Sequence, residues 1–202
     1  MTMDTKRTII LTGYGPFGKH TINASWEAVK FISSEYCRTG ILADFNLIIE
    51  ELPVDYNHVA SRIPQLWKIY DPVFVIHVGV SSIAECITIE SRAHSKGYIR
   101  EDINNTCPDE SNVEENNLIL ETVCDVKQIC NYINNIENSN IKASVSHDAG
   151  RYLCEYVYYQ SLKINQNRTL FVHVPDLNIY PTAQTASGLY NVLRHILEFK
   201  NI

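Results

Sequence analysis

Residues 143–174 read ASVSHDAGRYLCEYVYYQSLKINQNRTLFVHV, and this segment carries the fold. The end of a β-branched run (Ile141 to Val145) leads through SHDAG into a helical pattern from Ala149 to Lys163. A turn at Asn165 to Arg168 follows, and then a second β-branched run, Thr169 to Val174. Strand, helix and strand in that order form the building unit of an α/β domain. Asp148 stands where an N-cap belongs, which puts Cys154 in the first two turns of the helix. The partial positive charge of a helix start favours thiolate over thiol there. From Cys154 to Lys163 the helix descends about 15 Å at 1.5 Å per residue. From Thr169 to His173 the strand climbs back about 16 Å at 3.3 Å per residue. Cys154 and His173 are therefore expected at one edge of the sheet.

The same alternation runs along the rest of the chain. Further strand-like runs are Thr8 to Thr12, Asn46 to Val54, Val73 to Gly79 and Cys86 to Ile89; further helical patterns are Ser25 to Ser34, Tyr56 to Tyr70, Leu118 to Asn134 and Ala183 to Phe199. The pattern predicts one α/β domain over residues 1–202, with helices covering a largely parallel sheet. Pro64 is expected to kink the second helix or start a new turn. Asn104 to Asn117 is polar and without period, which predicts a long surface loop.

Composition narrows the function classes. The 202 residues are 45% hydrophobic and 20% charged, with a formal charge of −6 and no basic cluster, so nucleic acid is not an expected partner. The N-terminus offers only a short apolar stretch before a glycine turn, which predicts neither a leader nor a membrane span and points to the cytoplasm. The six cysteines contain no C-x-x-C pair, and the histidines show no metal-ligand spacing.

ILTGYGPFGKH, residues 10–20, contains the G-x-G-x-x-G spacing of a dinucleotide-binding turn. Two features argue against a cofactor. Pro16 has no N–H to donate and Phe17 brings a ring where a pyrophosphate would approach, while the following helix starts only at Asn23 or Ser25. No acidic residue follows at the distance a ribose requires. What the loop offers is two aromatic rings, Tyr14 and Phe17, beyond a strand's carboxyl end. Such surfaces grip a small, neutral, planar ligand, although spacing alone favours rings packed under the loop.

Glu90 closes the alternating run CITIE, residues 86–90. A carboxylate ending an apolar run needs a partner, and the sequence offers His173 as well as Arg92, Lys96 and Arg100. Taken singly, Cys154 also fits a packed thiol on a buried helix face, and His173 a core histidine.

Six stretches narrow these alternatives. TGYGPFG (12–18), NASWEAV (23–29), HVGVS (77–81), ITIE (87–90), VSHDAGRYLC (145–154) and FVHVP (171–175) resemble, in order and spacing, the signatures of the pyroglutamyl-peptidase I, or pyrrolidone-carboxylate peptidase, family of cysteine peptidases. The likeness spans about Thr8 to Leu193. It implies a three-layer α/β/α sandwich around a twisted, largely parallel but mixed sheet. It also implies hydrolysis of an N-terminal 5-oxoproline (pyroglutamate) residue from small peptides through a thioester, with no cofactor and no metal. A monomer is the favoured state. The family's catalytic set carries over onto Cys154, His173 and Glu90, and its lactam pocket onto Tyr14, Phe17, Asn23 and Val80, with Leu153 as a further apolar wall. Tyr14 departs from a common phenylalanine and adds a hydroxyl that must be hydrated or bonded. Ser95 departs from a usual asparagine. Arg100 follows Glu90 at the interval of an arginine known in bacterial members, but the intervening HSKGYI differs and no role is assigned. The alternatives are a non-catalytic binder of pyroglutamyl-blocked peptides on the same fold and, more remotely, a nucleoside-phosphorylase-like enzyme, for which the sequence lacks a phosphate-binding arrangement of arginine and glycine.

Overall fold

A computed structural model describes residues 6–18, 21–108 and 118–199. Its centre is a six-stranded sheet. Strands β1 (Thr8–Tyr14), β2 (Asn46–Leu52), β3 (Phe74–Val80) and β8 (Thr169–Val174) form a parallel set in the order β2-β1-β3-β8, extended by β4 (Ile87–Glu90) and then β7 (Ala143–Ser146). A separate antiparallel pair joins β5 (Arg92–His94) to β6 (Ile119–Glu121).

Period-two alternation sends each strand's side chains to two different cores. Ile9, Leu11, Phe74, Ile76, Leu170 and Val172 face a core built with α1 (Ala24–Phe31), α3 (Val126–Asn134) and α5 (Thr182–Phe199). Ile10, Val75 and Phe171 face the other, built with α2 (Tyr56–Tyr70) and α4 (Leu153–Ile164). Apolar demand on both faces explains why the central strands read as nearly continuous hydrophobic runs. The result is the α/β/α sandwich, with a mixed, mostly parallel sheet. Among the described residues no helix is long and apolar enough to cross a membrane.

The caps follow local chemistry. The Asn23 side chain accepts from Ser25 N at the start of α1, Asp55 from His58 N at α2, and Asp125 from Gln128 N at α3. Pro64 lies inside α2 without ending it.

Two expectations need correction. The helix expected over Leu118 to Asn134 is split, because Ile119–Glu121 pairs with β5 and the helix begins only after Asp125. The expected mixed character of the sheet lies in β4, which runs antiparallel to β8. Only residues 81–86 separate β3 from β4, too few for the crossover a parallel strand needs, so the chain turns back. Finally, Asp148 is not the cap of α4. Strand β7 is parallel to β4 and ends with Ser146 beside Glu90, which lies opposite Phe171. The chain spends residues 147–152 returning to the level of His173, and α4 starts at Leu153 with Tyr152 in the N-cap position. The expected loop at Asn104 to Asn117 lies outside the described residues from 109 onward; its first part is a turn closed on Asp102.

Candidate active site

The late start of α4 sharpens the setting of Cys154. It is the second residue of the helix, and Tyr152 supplies no side-chain hydrogen bond to the helix start. The amides of the first turn have no partner within the helix and point beyond its end, where the partial positive charge is greatest. Cys154 is half-buried and unbridged.

The sulfur rests on β3. A Cβ built at Gly79 would lie 2.6 Å from Cys154 Sγ and 2.8 Å from Phe171 Cζ, so only glycine leaves the sulfur its seat. Gly79 is paired with His173 in the sheet, which puts strand, sulfur and imidazole side by side. Gly79→Ala is expected to lower kcat about 100-fold, the scale of a misplacement near 1 Å, with the fold retained. Steady-state kinetics together with a circular-dichroism melt checks this; unchanged kcat would show that the seat tolerates a methyl group.

His173 and Glu90 meet although their strands run in opposite directions. Antiparallel partners share a face, so Glu90, opposite Phe171, projects to the same side as His173. His173 Nδ1 donates to Glu90 Oε1 at 2.7 Å, which leaves Nε2 free for the Cys154 sulfur, near enough for the two groups to interact electrostatically. Burial alone would lower the imidazole pKa. The charge and hydrogen bond of Cys154, with those of Glu90, outweigh burial and raise it to about 10. Glu90 is itself buried, its backbone carbonyl accepts from Tyr158 Oη at 2.9 Å, and its Oε2 has no partner among the described residues. The other partners considered for Glu90 are placed elsewhere. Arg92 donates to the His147 carbonyl, Arg100 lies over the Tyr152 ring, and Lys96 does not pair with Glu90 among the described ion pairs.

One cavity of about 660 Å³ is lined by all eight residues singled out in the sequence: Tyr14, Phe17, Asn23, Val80, Glu90, Leu153, Cys154 and His173. Its aromatic wall is braced from behind. Tyr14 donates its hydroxyl to the Leu153 carbonyl at 2.6 Å, tying the glycine loop to the start of α4 and satisfying the group that departs from phenylalanine. Burial holds this phenol well above its usual pKa, so it stays neutral. Asn23 spends its side chain inward: Nδ2 donates to the Gly15 carbonyl at 3.0 Å, and Oδ1 accepts from Ser25 N and Oγ. It holds the aromatic loop in place. Gly13 allows the close approach that this requires, since a Cβ there would lie 2.8 Å from Trp26 Cα.

Other groups were not legible as site residues. Glu155, fully buried beside the nucleophile, accepts from Arg151 Nη1 (3.0 and 2.8 Å) and from His94 N and Nδ1 (3.1 and 2.8 Å). Arg151 also reaches Asp148 at 2.7 Å. Burial raises the Glu155 pKa, against the lowering pull of His94 and Arg151. This cluster fixes the segment that enters α4. The i, i+4 spacing of Arg151 and Glu155 was its one sequence signal. A glycine closing a strand-like run was the corresponding signal for Gly79. Ser95, in place of the usual asparagine, accepts from Leu118 N through Oγ at 2.9 Å. His77 lies between the hydroxyls of Thr12 and Ser161 at 2.7 and 2.8 Å, and burial pulls its pKa down to about 3, so it is a neutral core residue.

Similarity to known proteins agrees with this geometry. The family model described as pyroglutamyl peptidase matches residues 7–189. Pyroglutamyl-peptidase 1 of mouse and of human are each 37% identical over 194 residues, covering 96% of this chain and 89% of the relative. A pyrrolidone-carboxylate peptidase of Yersinia pestis is 28% identical over 178 residues, covering 85% of this chain and 79% of the relative. Among solved structures, pyroglutamyl peptidase I of Bacillus amyloliquefaciens superimposes with a TM-score of 0.76 at 23% identity, covering 92% of this chain and 94% of that one. The pyrrolidone carboxyl peptidase of Thermococcus litoralis gives 0.78 at 21%, covering 96% and 95%. These two establish a shared fold. The extent of the family match and the identity to the mammalian relatives establish more: this chain belongs to the pyroglutamyl peptidase family.

Proposed function

We propose that this protein is a cysteine peptidase that removes an N-terminal 5-oxoproline residue from peptides, with Cys154 as nucleophile, His173 as acid and base, and Glu90 as the group that orients the imidazole. The observation that carries this is the Glu90–His173 hydrogen bond on the same cavity wall as a sulfur at a helix start, facing an aromatic wall. A nucleophile, a base and an orienting carboxylate together beside that cavity favour cutting over mere binding.

The chemistry follows from the positions. The Cys154 sulfur attacks the carbonyl carbon of the 5-oxoprolyl residue, and the carbonyl oxygen takes up negative charge beside the free amides of the first turn of α4. His173 passes its proton to the leaving amine, the C–N bond breaks, and a thioester remains on Cys154. Water then gives a proton to His173 and attacks the thioester. Release of 5-oxoproline restores the paired thiol and imidazole.

Specificity comes from charge. A free α-amine is cationic, whereas the lactam of 5-oxoproline is neutral and planar. The two carboxylates lining the cavity are already matched, Glu90 by His173 and Asp148 by Arg151. Tyr14, Phe17, Val80 and Leu153 can accept the lactam, but they leave an ammonium group without a partner. A fluorogenic 5-oxoprolyl amide is therefore expected to be hydrolysed, and the corresponding prolyl amide to show a kcat/KM lower by a factor of about 1,000, the scale of a buried unpaired charge. No hydrolysis of the first substrate would refute the function; equal rates on the two would refute the account of the pocket.

A further inference from the structure

The charged groups lining the cavity sort into pairs with one exception. Glu90 is matched by His173, and Arg151 is shared by Asp148 and Glu155. Arg100 also lines the cavity, yet among the described residues no carboxylate lies within ion-pair distance of it. Its guanidinium lies 4.1 Å from the centroid of the Tyr152 ring, the residue before Leu153 and Cys154. The Arg100 carbonyl accepts from Tyr56 Oη at 3.0 Å, and Tyr152 is held edge-on to Tyr56 with its hydroxyl donating to the Glu101 carbonyl. Both the backbone of Arg100 and the ring beneath its head are therefore fixed. Of the acids nearby in the chain, exposed Glu101 is in none of the described ion pairs, and Asp102 and Asp55 are engaged. Asp102 accepts from Tyr56 N, Asn104 N and both Thr106 N and Oγ1, and Asp55 accepts from His58 N and Asn104 Nδ2.

A stacked, preoriented guanidinium on the wall of an otherwise charge-matched cleft is complementary to an anion, and its planar fork suits a carboxylate. If the function proposed above holds, that anion cannot be the 5-oxoprolyl residue, which is neutral throughout. It must belong to the portion beyond the scissile bond. We infer that Arg100 binds a carboxylate on the leaving part of the substrate, so that the preferred substrates are anionic 5-oxoprolyl peptides: short ones ending in a free carboxylate, or ones with an acidic side chain next to the bond.

Three substrates separate the possibilities: 5-oxoprolyl-alanine with a free carboxylate, 5-oxoprolyl-alanine amide, and 5-oxoprolyl-glutamate as its α-amide. At low ionic strength the wild-type kcat/KM for one of the two anionic substrates is expected to exceed that for the neutral amide about 10-fold. This ratio falls as salt is added. The free dipeptide being favoured assigns the terminal carboxylate, and the glutamyl amide being favoured assigns the side chain. Arg100→Gln is expected to bring the ratio close to 1, and Arg100→Lys to retain part of it. Equal hydrolysis of all three substrates by the wild type, or an unchanged ratio in Arg100→Gln, overturns the assignment while leaving the peptidase function standing. Failure to hydrolyse any of the three overturns both.

Discussion

With Cys154 replaced by alanine, kcat on a 5-oxoprolyl amide is expected to fall by a factor of about 10⁴ or more, the scale at which removal of a nucleophile leaves only binding and oxyanion stabilisation. The protein should otherwise be intact. The sulfur is half-buried on Gly79, and alanine fits without displacing β3 or Phe171, so the melting temperature changes little. Iodoacetamide should abolish wild-type activity, more slowly when a 5-oxoprolyl ligand fills the cavity, whereas alkylation of exposed Cys107 and half-buried Cys37 and Cys86 is not slowed by that ligand. Buried Cys124 and Cys130 do not compete on that timescale, and burial also raises the Cys130 pKa to about 11. Activity that survives either treatment would remove the thiol from the mechanism.

Glu90→Gln is the second large effect, with kcat expected to fall by about 10²- to 10⁴-fold. The substitution keeps shape and removes charge. Tyr158 bonds the backbone carbonyl of residue 90 and not its side chain, so that anchor survives. What changes is the imidazole: an amide at this position no longer favours the Nδ1-protonated ring or its cationic form. The pH dependence follows with a definite sign. The folded-state pKa of His173 is raised to about 10 from an ordinary value of 6.5. Its contribution to stability is therefore complete below about pH 6.5 and is lost as pH rises through about 10. In Glu90→Gln the loss should begin at lower pH, and the alkaline limb of kcat should move down with it. Urea titrations and rate profiles between about pH 6 and 10.5, a window that brackets both the ordinary and the raised value, measure both. A limb that stays in place would mean that Glu90 does not hold the imidazolium.

Much of the fold could be read along the chain because it rests on local periodicity. Thr169–Val174 and Tyr56–Tyr70 were delimited to the residue, since an alternating or 3.6-residue apolar pattern bounded by polar or turn residues is a near-neighbour signal. The glycine loop was likewise legible as something other than a dinucleotide turn, because a proline without an N–H and a late helix start are visible in sequence. Ile119–Glu121 was misread as helix because its identity as a strand depends on pairing with Arg92–His94, a partner that no local pattern specifies.

The site divides along the same line. Sequence alone determined which chemical groups are available, a thiol near a helix start, an imidazole at a strand end, a carboxylate closing an apolar run and two rings on a loop, because each of these follows from residue type and its nearest neighbours. Path length along the chain brought Cys154 and His173 to one edge, and tertiary structure alone decided that Glu90 joins them and that the sulfur has room. Glu90 reaches His173 because its strand reverses direction and lies against β8, and the Cys154 sulfur has a seat because residue 79, far away in the chain, lacks a side chain. Strand direction and the space between packed elements depend on contacts between distant segments, and those contacts exist only once the sheet has formed.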